Sequence, residues 1–414
     1  MTPEVKNRIE QLRHGIVPEG YRRTKAGIYP EDWTEYTLGD IYTERKEPGN
    51  ESLPLLMVSI HSGVSDGEVD EADLPKKVKR IEDKSQYKRA ATGDLVFNMM
   101  RAWQGAIGTV RTEGMVSPAY IVAEPNKLVD PLFMDYLMRT PRMVGAIHKQ
   151  SYGVTDFRLR LYWDSFAPIH CVLPSVPEQE KIGEAVDIQN KIIDLKEKLL
   201  AEKQRQKKYL MQQLLTDRMR LPGFDGEWMY VRANQIFRNV TDKKHNGTLE
   251  VLSATQDRGI IPRSLVDIDI KYAVESLTGY KKVAKGNFVI SLRSFQGGIE
   301  YSEYSGIVSP AYTVLSSIYP IEDNYYKQFF KSTDYINRLN IAVYGIRDGK
   351  QISYNDFGRI RIPYPPLDEQ KAIAAVLETA DKEIEILKRN IEQEKQKKKA
   401  LMQLLLTGIV RVNK

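Results

Sequence analysis

Short apolar runs bounded by glycine, proline or asparagine alternate along this chain with longer stretches in which apolar residues recur at helical spacing. The segments near Asp94-Leu-Val-Phe, Ala119-Tyr-Ile-Val, Asn287-Phe-Val-Ile and Ala311-Tyr-Thr-Val read as short strands. One helix is predicted from Pro131 to near Lys149, with Phe133, Leu137, Val144 and Ile147 turned inward, and a counterpart from Asn324 to Ala342. Each leads to a glycine, Gly153 or Gly345. Strands and helices interleaved in this way predict mixed α/β domains.

After Pro174 and again after Pro365 the pattern changes to Glu, Lys, Gln, Leu and Ile, with little glycine, as in a long solvent-bathed helix. Spacings of four and three alternate through Ile182, Val186, Gln189, Ile193, Lys196, Leu200, Lys203, Lys207, Leu210 and Leu214. The second stretch repeats the seam through Ile373, Leu377, Ala380, Ile384, Leu387, Ile391, Glu394, Lys398, Leu401 and Leu405. A single apolar stripe needs a partner, and the nearest is the other copy in the same chain, so two long antiparallel coiled-coil helices are expected. At 1.5 Å per residue, about 38 helical residues would make a rod of roughly 57 Å. An ordinary homodimeric coiled coil is the alternative, and mass in solution separates the two.

The chain also repeats itself. MVSPAY from Met115 recurs as IVSPAY from Ile307, Arg101-Ala-Trp-Gln-Gly as Arg293-Ser-Phe-Gln-Gly, and Leu210-Met-Gln-Gln-Leu-Leu-Thr as Leu401-Met-Gln-Leu-Leu-Leu-Thr, all at an offset near 190 residues. A repeat of that size describes a duplicated domain with its connector, used about a pseudo-twofold axis. Trp33 and Trp228, near the start of each copy, are expected core anchors. The organisation expected is an N-terminal helical segment over 1–24, a first domain over 25–173, a first long helix over 174–217, a second domain over 218–364, and a second long helix with its tail over 365–414.

Composition narrows the functional classes. Hydrophobic residues make up 42% of 414 positions, enough for a core in each domain. The net charge of +6 is a modest surplus that permits nucleic-acid binding without requiring it. The single cysteine, Cys171, rules out an intramolecular disulfide, and the N-terminus shows no apolar signal segment, so a cytoplasmic location is expected. Charged or polar residues interrupt every hydrophobic stretch before it could span a membrane. Several chemistries lack their motifs: there is no glycine-rich cofactor loop with an Asn-Pro-Pro-Tyr or Asp-Pro-Pro-Phe tetrapeptide, and no Gly-x-x-x-x-Gly-Lys-Ser/Thr loop for ATP. The histidines show no paired metal-ligand spacing, and His170-Cys171 reads as core. No catalysis and no metal site are expected.

A duplicated domain, each copy followed by Pro-x-x-x-Glu-Gln (Pro174 to Gln179, Pro365 to Gln370), a long helix and Leu-Met-Gln-x-Leu-Leu-Thr, resembles the specificity subunit of Type I restriction–modification enzymes. The resemblance covers almost the whole chain. It implies that the globular domains are target-recognition domains, each reading half of a split double-stranded DNA sequence, while the helices set the spacer. It further implies two methyltransferase subunits docked on the helical region, carrying S-adenosylmethionine, and endonuclease-translocase subunits that use ATP and Mg; this chain itself would hold no cofactor. An adaptor whose two modules bind proteins is the competing reading, and a self-contained modification enzyme a third.

Major-groove readout needs side chains that offer two hydrogen bonds to one base edge, Arg to guanine and Gln or Asn to adenine. Arg101 and Gln104, with Arg293 and Gln296 in the second copy, sit in glycine-containing loops after a strand; they read equally as DNA contacts or as framework. Arg158, Arg160, Arg347 and Lys350 follow the helical segments where the copies differ, and suit phosphate or copy-specific base contact, with a solvated loop as the alternative. Ser117-Pro-Ala-Tyr120 and Ser309-Pro-Ala-Tyr312 read as structural. The basic runs from Lys203 to Lys208 and from Lys395 to Lys399 read as solvated helix faces, with attraction to spacer phosphates as the other reading. Leu210, Met211, Leu401 and Met402 would either pair with each other or receive the methyltransferase subunit.

Overall fold

In the computed structural model, which describes residues 2–50, 52–60, 62–65, 86–153, 155, 158–266, 274–342 and 352–412, only the backbone is described for 274–276 and 342. The four short apolar runs are the strands Leu95–Asn98, Tyr120–Pro125, Phe288–Ile290 and Thr313–Ser317. Each pair is the centre of a four-stranded antiparallel sheet. The first has the order Tyr42–Arg45, Tyr120–Pro125, Leu95–Asn98, Ile107–Thr109; the second Phe237–Val240, Thr313–Ser317, Phe288–Ile290, Glu300–Tyr301.

These runs are apolar without alternation because both faces of each sheet are buried. Leu95, Phe97, Ile121 and Ala123 face the main core of the first half, while Val96 and Val122 face a smaller one with Leu56, Val58 and Val116. The second half divides likewise: Phe288, Ile290 and Leu315 join the main core, and Val289 and Val314 pack with Leu252, Ile260 and Val308. Trp33 and Trp228 are buried in the respective cores. Cys171 lies on His170–Leu173, paired with Thr34–Thr37, and burial pushes its thiol up to about 12.

The helical expectation needs correction. The segment from Pro131 to Lys149 is two helices, Pro131–Met138 and Pro141–Gln150, because Thr140 caps a new N-terminus and Pro141, at its first position, cannot continue the first helix. Its counterpart is likewise two helices, Asp323–Phe329 and Thr333–Ala342, with the Ser332 hydroxyl accepting from the Tyr335 amide. Phe133, Leu137 and Ile147 are buried as expected; Val144 is only half-buried.

The chain divides into two compact units, Met1–Lys196 with Ile391–Lys414, and Glu197–Asn390. Each therefore contains a globular part and a portion of both long helices, Val176–Leu214 and Leu367–Leu405. In the first unit Arg411 meets Glu178 and Lys398 meets Asn190, so the two helical portions run in opposite directions. In the second unit Lys207 meets Asp381 and Lys203 meets Glu383, with the same sense. Every seam position read from the spacing is shielded, wholly or in part.

The polar seam residues are matched. Gln189 donates to Glu394 at 2.8 Å and Lys196 at 2.9 Å, which draws the Glu394 carboxyl down to about 2. The lysines of the basic runs are thus partly engaged within their own units, Lys203 and Lys207 by acids, Lys398 by Asn190 and the Tyr136 ring. Leu210 and Met211 pack on the core of the second unit, Leu401 and Met402 on that of the first. No helix among the described residues is long and apolar enough to cross a membrane.

Candidate nucleic-acid interface

Each unit is fastened to its long helix by the same device. Arg220, four residues beyond Thr216, grips Glu369 at the start of the second long helix through two bonds of 2.7 and 2.8 Å. The Trp228 indole donates to the same carboxylate at 2.8 Å and lies under the guanidinium. Arg411, four residues beyond Thr407, does likewise for Glu178, two bonds of 2.6 Å, and lies over Trp33 while also pairing with Asp32. The glutamines that follow are ties as well: Gln179 accepts from the Asp130 amide and donates to the Leu128 carbonyl, and Gln370 accepts from the Glu322 amide and donates to the Pro365 carbonyl. The Glu-Gln pairs are therefore structural. Arg220 and Arg411 were not singled out from sequence, although their equal distance from the repeated threonines is a usable signal.

On this frame the first unit displays Arg101 and Gln104, both exposed, on the one-turn helix Ala102–Gln104 between two strands of the sheet. The turn is held from beneath: Trp103 donates to the Met100 carbonyl and its ring lies 5.6 Å from that of His148. Gly105 takes a φ of 103°, which lets the chain turn back into the next strand. Arg158 and Arg160 lie on the return of a narrow loop in which Tyr152 and Arg160 exchange backbone bonds of 3.1 and 2.9 Å. A side chain at Gly153 would collide with the Arg158 carbonyl, so glycine is required there.

The Leu161 amide then bonds the Met99 carbonyl at 2.9 Å, which brings this loop alongside the Arg101 turn. The two stretches of candidate residues in the first unit are thus neighbours. Exposed guanidinium groups and the Tyr152–Tyr162 ring pair, 5.5 Å apart, form a surface able to meet phosphates and base edges.

In the second unit Arg293 begins the turn Ser294–Gly297, and Gln296 projects from it; both side chains are exposed. Ser291 and Ser294 brace the turn through the Ser291 amide and the Ser294 hydroxyl, 2.9 Å apart. Arg293 also lines a cleft of about 460 Å³ beside the hairpin Leu252–Thr255 and Gly259–Pro262, together with Gln256, Arg263, Glu300 and Tyr312. Arg347 and Lys350 lie outside the described residues. Ser117 and Ser309 form turns that lead into strands, with backbone bonds from Tyr120 and Tyr312, in agreement with a structural role. A separate groove of about 510 Å³ in the first unit, lined by Leu137, Pro141, Met143 and Met402 and edged by Lys395 and Lys399, holds none of the expected base-reading residues.

Each unit thus presents an exposed arginine and glutamine on a braced turn between two strands of its four-stranded sheet. Residues 226–395 match the family model described as the Type I restriction modification DNA specificity domain. The type I restriction enzyme MjaX specificity subunit of Methanocaldococcus jannaschii is 24% identical over 440 residues, spanning 95% of this chain and 97% of its own. The EcoBI specificity subunit of Escherichia coli is 29% identical over 174 residues, 39% of this chain and 35% of that one. Among solved structures, a chain from a study of complex assembly and conformational transition of the type I R-M system has a TM-score of 0.57 at 20% identity, over 92% of this chain and 99% of its own, a likeness of fold. Residues 226–395 thus carry the Type I restriction modification DNA specificity domain, and over nearly its whole length the chain is similar to a Type I specificity subunit.

Proposed function

We propose that this chain binds a bipartite double-stranded DNA target, one half-site per unit, and scaffolds the subunits that act on it. The observation that carries this reading is the exposed Arg-Gln pair repeated on an equivalent turn of an equivalent sheet, Arg101 and Gln104 in one unit, Arg293 and Gln296 in the other. Arg158 and Arg160, and in sequence Arg347 and Lys350, supply charge where the copies differ, so that each unit reads its own bases. The duplicated units act about a pseudo-twofold axis, and the long helices pair as an antiparallel coiled coil that fixes the unread spacer. Two methyltransferase subunits bring S-adenosylmethionine to the helical region, endonuclease-translocase subunits bring ATP and Mg, and this chain is non-catalytic and acts in the cytoplasm.

Co-expression with the cognate methyltransferase subunits, followed by mapping of methylated adenines, tests the reading. A split target motif is expected, and an unsplit motif or none defeats it. A matched deletion of seven residues from each long helix keeps the heptad phase and shortens the helices by about 10 Å, so the spacer should contract; an unchanged spacer rejects the ruler. A protein-binding adaptor would instead show binding insensitive to salt and to DNA sequence.

A further inference from the structure

The two units balance one buried carboxylate differently. Gln104 and Gln296 are 192 residues apart, and that offset sets Gly108 opposite Glu300, Asp135 opposite Lys327 and Arg139 opposite Lys331. In the first unit both oxygens of Asp135 are matched, one by the Thr109 amide at 2.9 Å and the other by Arg139 at 2.5 Å. Position 108 must be glycine there, because a Cβ would lie 2.9 Å from the Cα of Gly63. In the second unit the acid has moved to the strand as Glu300, which is 2% exposed and lines the cleft beside Arg293. Lys331 holds Oε1 at 2.5 Å and also donates to the carbonyls of Gly297 and Gln256, so the carboxylate is fixed in place. Among the described residues Oε2 has no hydrogen-bond donor.

A buried carboxylate with one oxygen unmatched is costly unless something else meets it. Burial pushes this carboxyl up, while Lys331 pulls it down. An ionised carboxylate only accepts, so the missing partner is a donor. Phosphate oxygens are repelled. Guanine and thymine offer only acceptors in the major groove, whereas the N4 amine of cytosine and the N6 amine of adenine donate.

We propose that Glu300 is a specificity-determining residue of the second unit, accepting a hydrogen bond from the exocyclic amine of an adenine or cytosine presented to the cleft beside Arg293. This rests on the DNA-reading assignment above. The first unit has no equivalent, since its carboxylate is spent on the sheet and helix, so the two half-sites are read by different chemistry.

The test uses the full chain co-expressed with its methyltransferase subunits, with methylation mapped across a degenerate DNA library. Glu300→Gln is expected to relax the preference at one position of one half-site by about ten- to a hundredfold, leaving the other half-site unchanged. An unaltered motif overturns the proposal, and so does a uniform fall in methylation with the motif preserved, which is what a merely structural role would give. Should Glu300→Gln fail to fold, the double variant Glu300→Leu with Lys331→Met removes both partners of the buried pair. The same motif from that variant overturns the proposal equally. A wild-type chain that directs no split motif would instead bring down the DNA-reading assignment itself.

Discussion

The first unit closes its Arg–Glu clamp with a second acid, and the second closes it with a tryptophan. Arg411 divides its donors between Glu178 and the half-exposed Asp32, whereas Arg220 spends itself on Glu369, which is fully buried and shares its charge with the Trp228 indole. The carboxylates under the sheets diverge too, with Asp135 on a helix in one unit and Glu300 on a strand in the other. The same links recur where the frame is built, and the pairs that differ lie at the clamp's outer partner and, for Glu300, beside the turn that carries Arg293. The two units thus share the contacts that tie each long helix to its globular part and differ in the acids that surround them.

The sharpest way to break the comparison is to remove each arginine. Arg220→Ala leaves Glu369 buried with only the indole for company, and should cost about 3–5 kcal/mol in the stability of the second unit. Arg411→Ala should cost the first unit less, about 1–3 kcal/mol, because Glu178 is nearer solvent. Hydrogen exchange around Trp228 and Trp33 reads the two losses separately. Equal losses would show that the difference in burial is without consequence.

Next in size are the turns that carry Arg101 and Arg293. Alanine at Arg101 or at Arg293 should lower affinity for the cognate target by about 1–3 kcal/mol and relax one position of its own half-site if the arginine reads a base. If it holds a phosphate, binding should fall alike for all sequences and the salt dependence should drop by about one counterion. Loss of both half-sites from either change would contradict separate reading by the two units.

The smallest effect expected is a pH response in the helical seam. The Glu394 carboxyl lies at about 2 in the folded chain, below its unfolded value of about 4.3. Its contribution is therefore complete above the unfolded value and disappears as pH falls from there towards 2. Glu394→Gln should remove that part of the acid sensitivity, seen as a flatter stability profile over that interval. An identical acid limb would show that the pair with Lys196 and Gln189 adds nothing.

Much of this molecule was legible before its coordinates. The strands showed because burial on both faces writes an unbroken apolar run, as in Leu95-Val-Phe97 and Phe288-Val-Ile290. The seam showed because a helix repeats its buried positions every three or four residues. The break at Thr140 was missed, although Thr-Pro is a capping signal, because the apolar period continues across it. The placement of Arg101 and Gln104 on a turn after a strand was readable; their adjacency to Arg158 and Arg160 was not, since it depends on the Leu161–Met99 bond across more than sixty residues.

The sequence by itself carried the repeated strings, the mixed α/β units, the helical seam and the likeness to Type I specificity subunits, because each is written in local period or in short motifs. Only the tertiary structure decided which charges are partners. Arg220 meets Glu369 across 149 residues and Arg411 meets Glu178 across 233, and no periodicity links positions so far apart. It decided as well that Glu300 keeps an oxygen without a donor among the described residues, since hydrogen bonding is settled by which atoms burial brings within about 3 Å of one another.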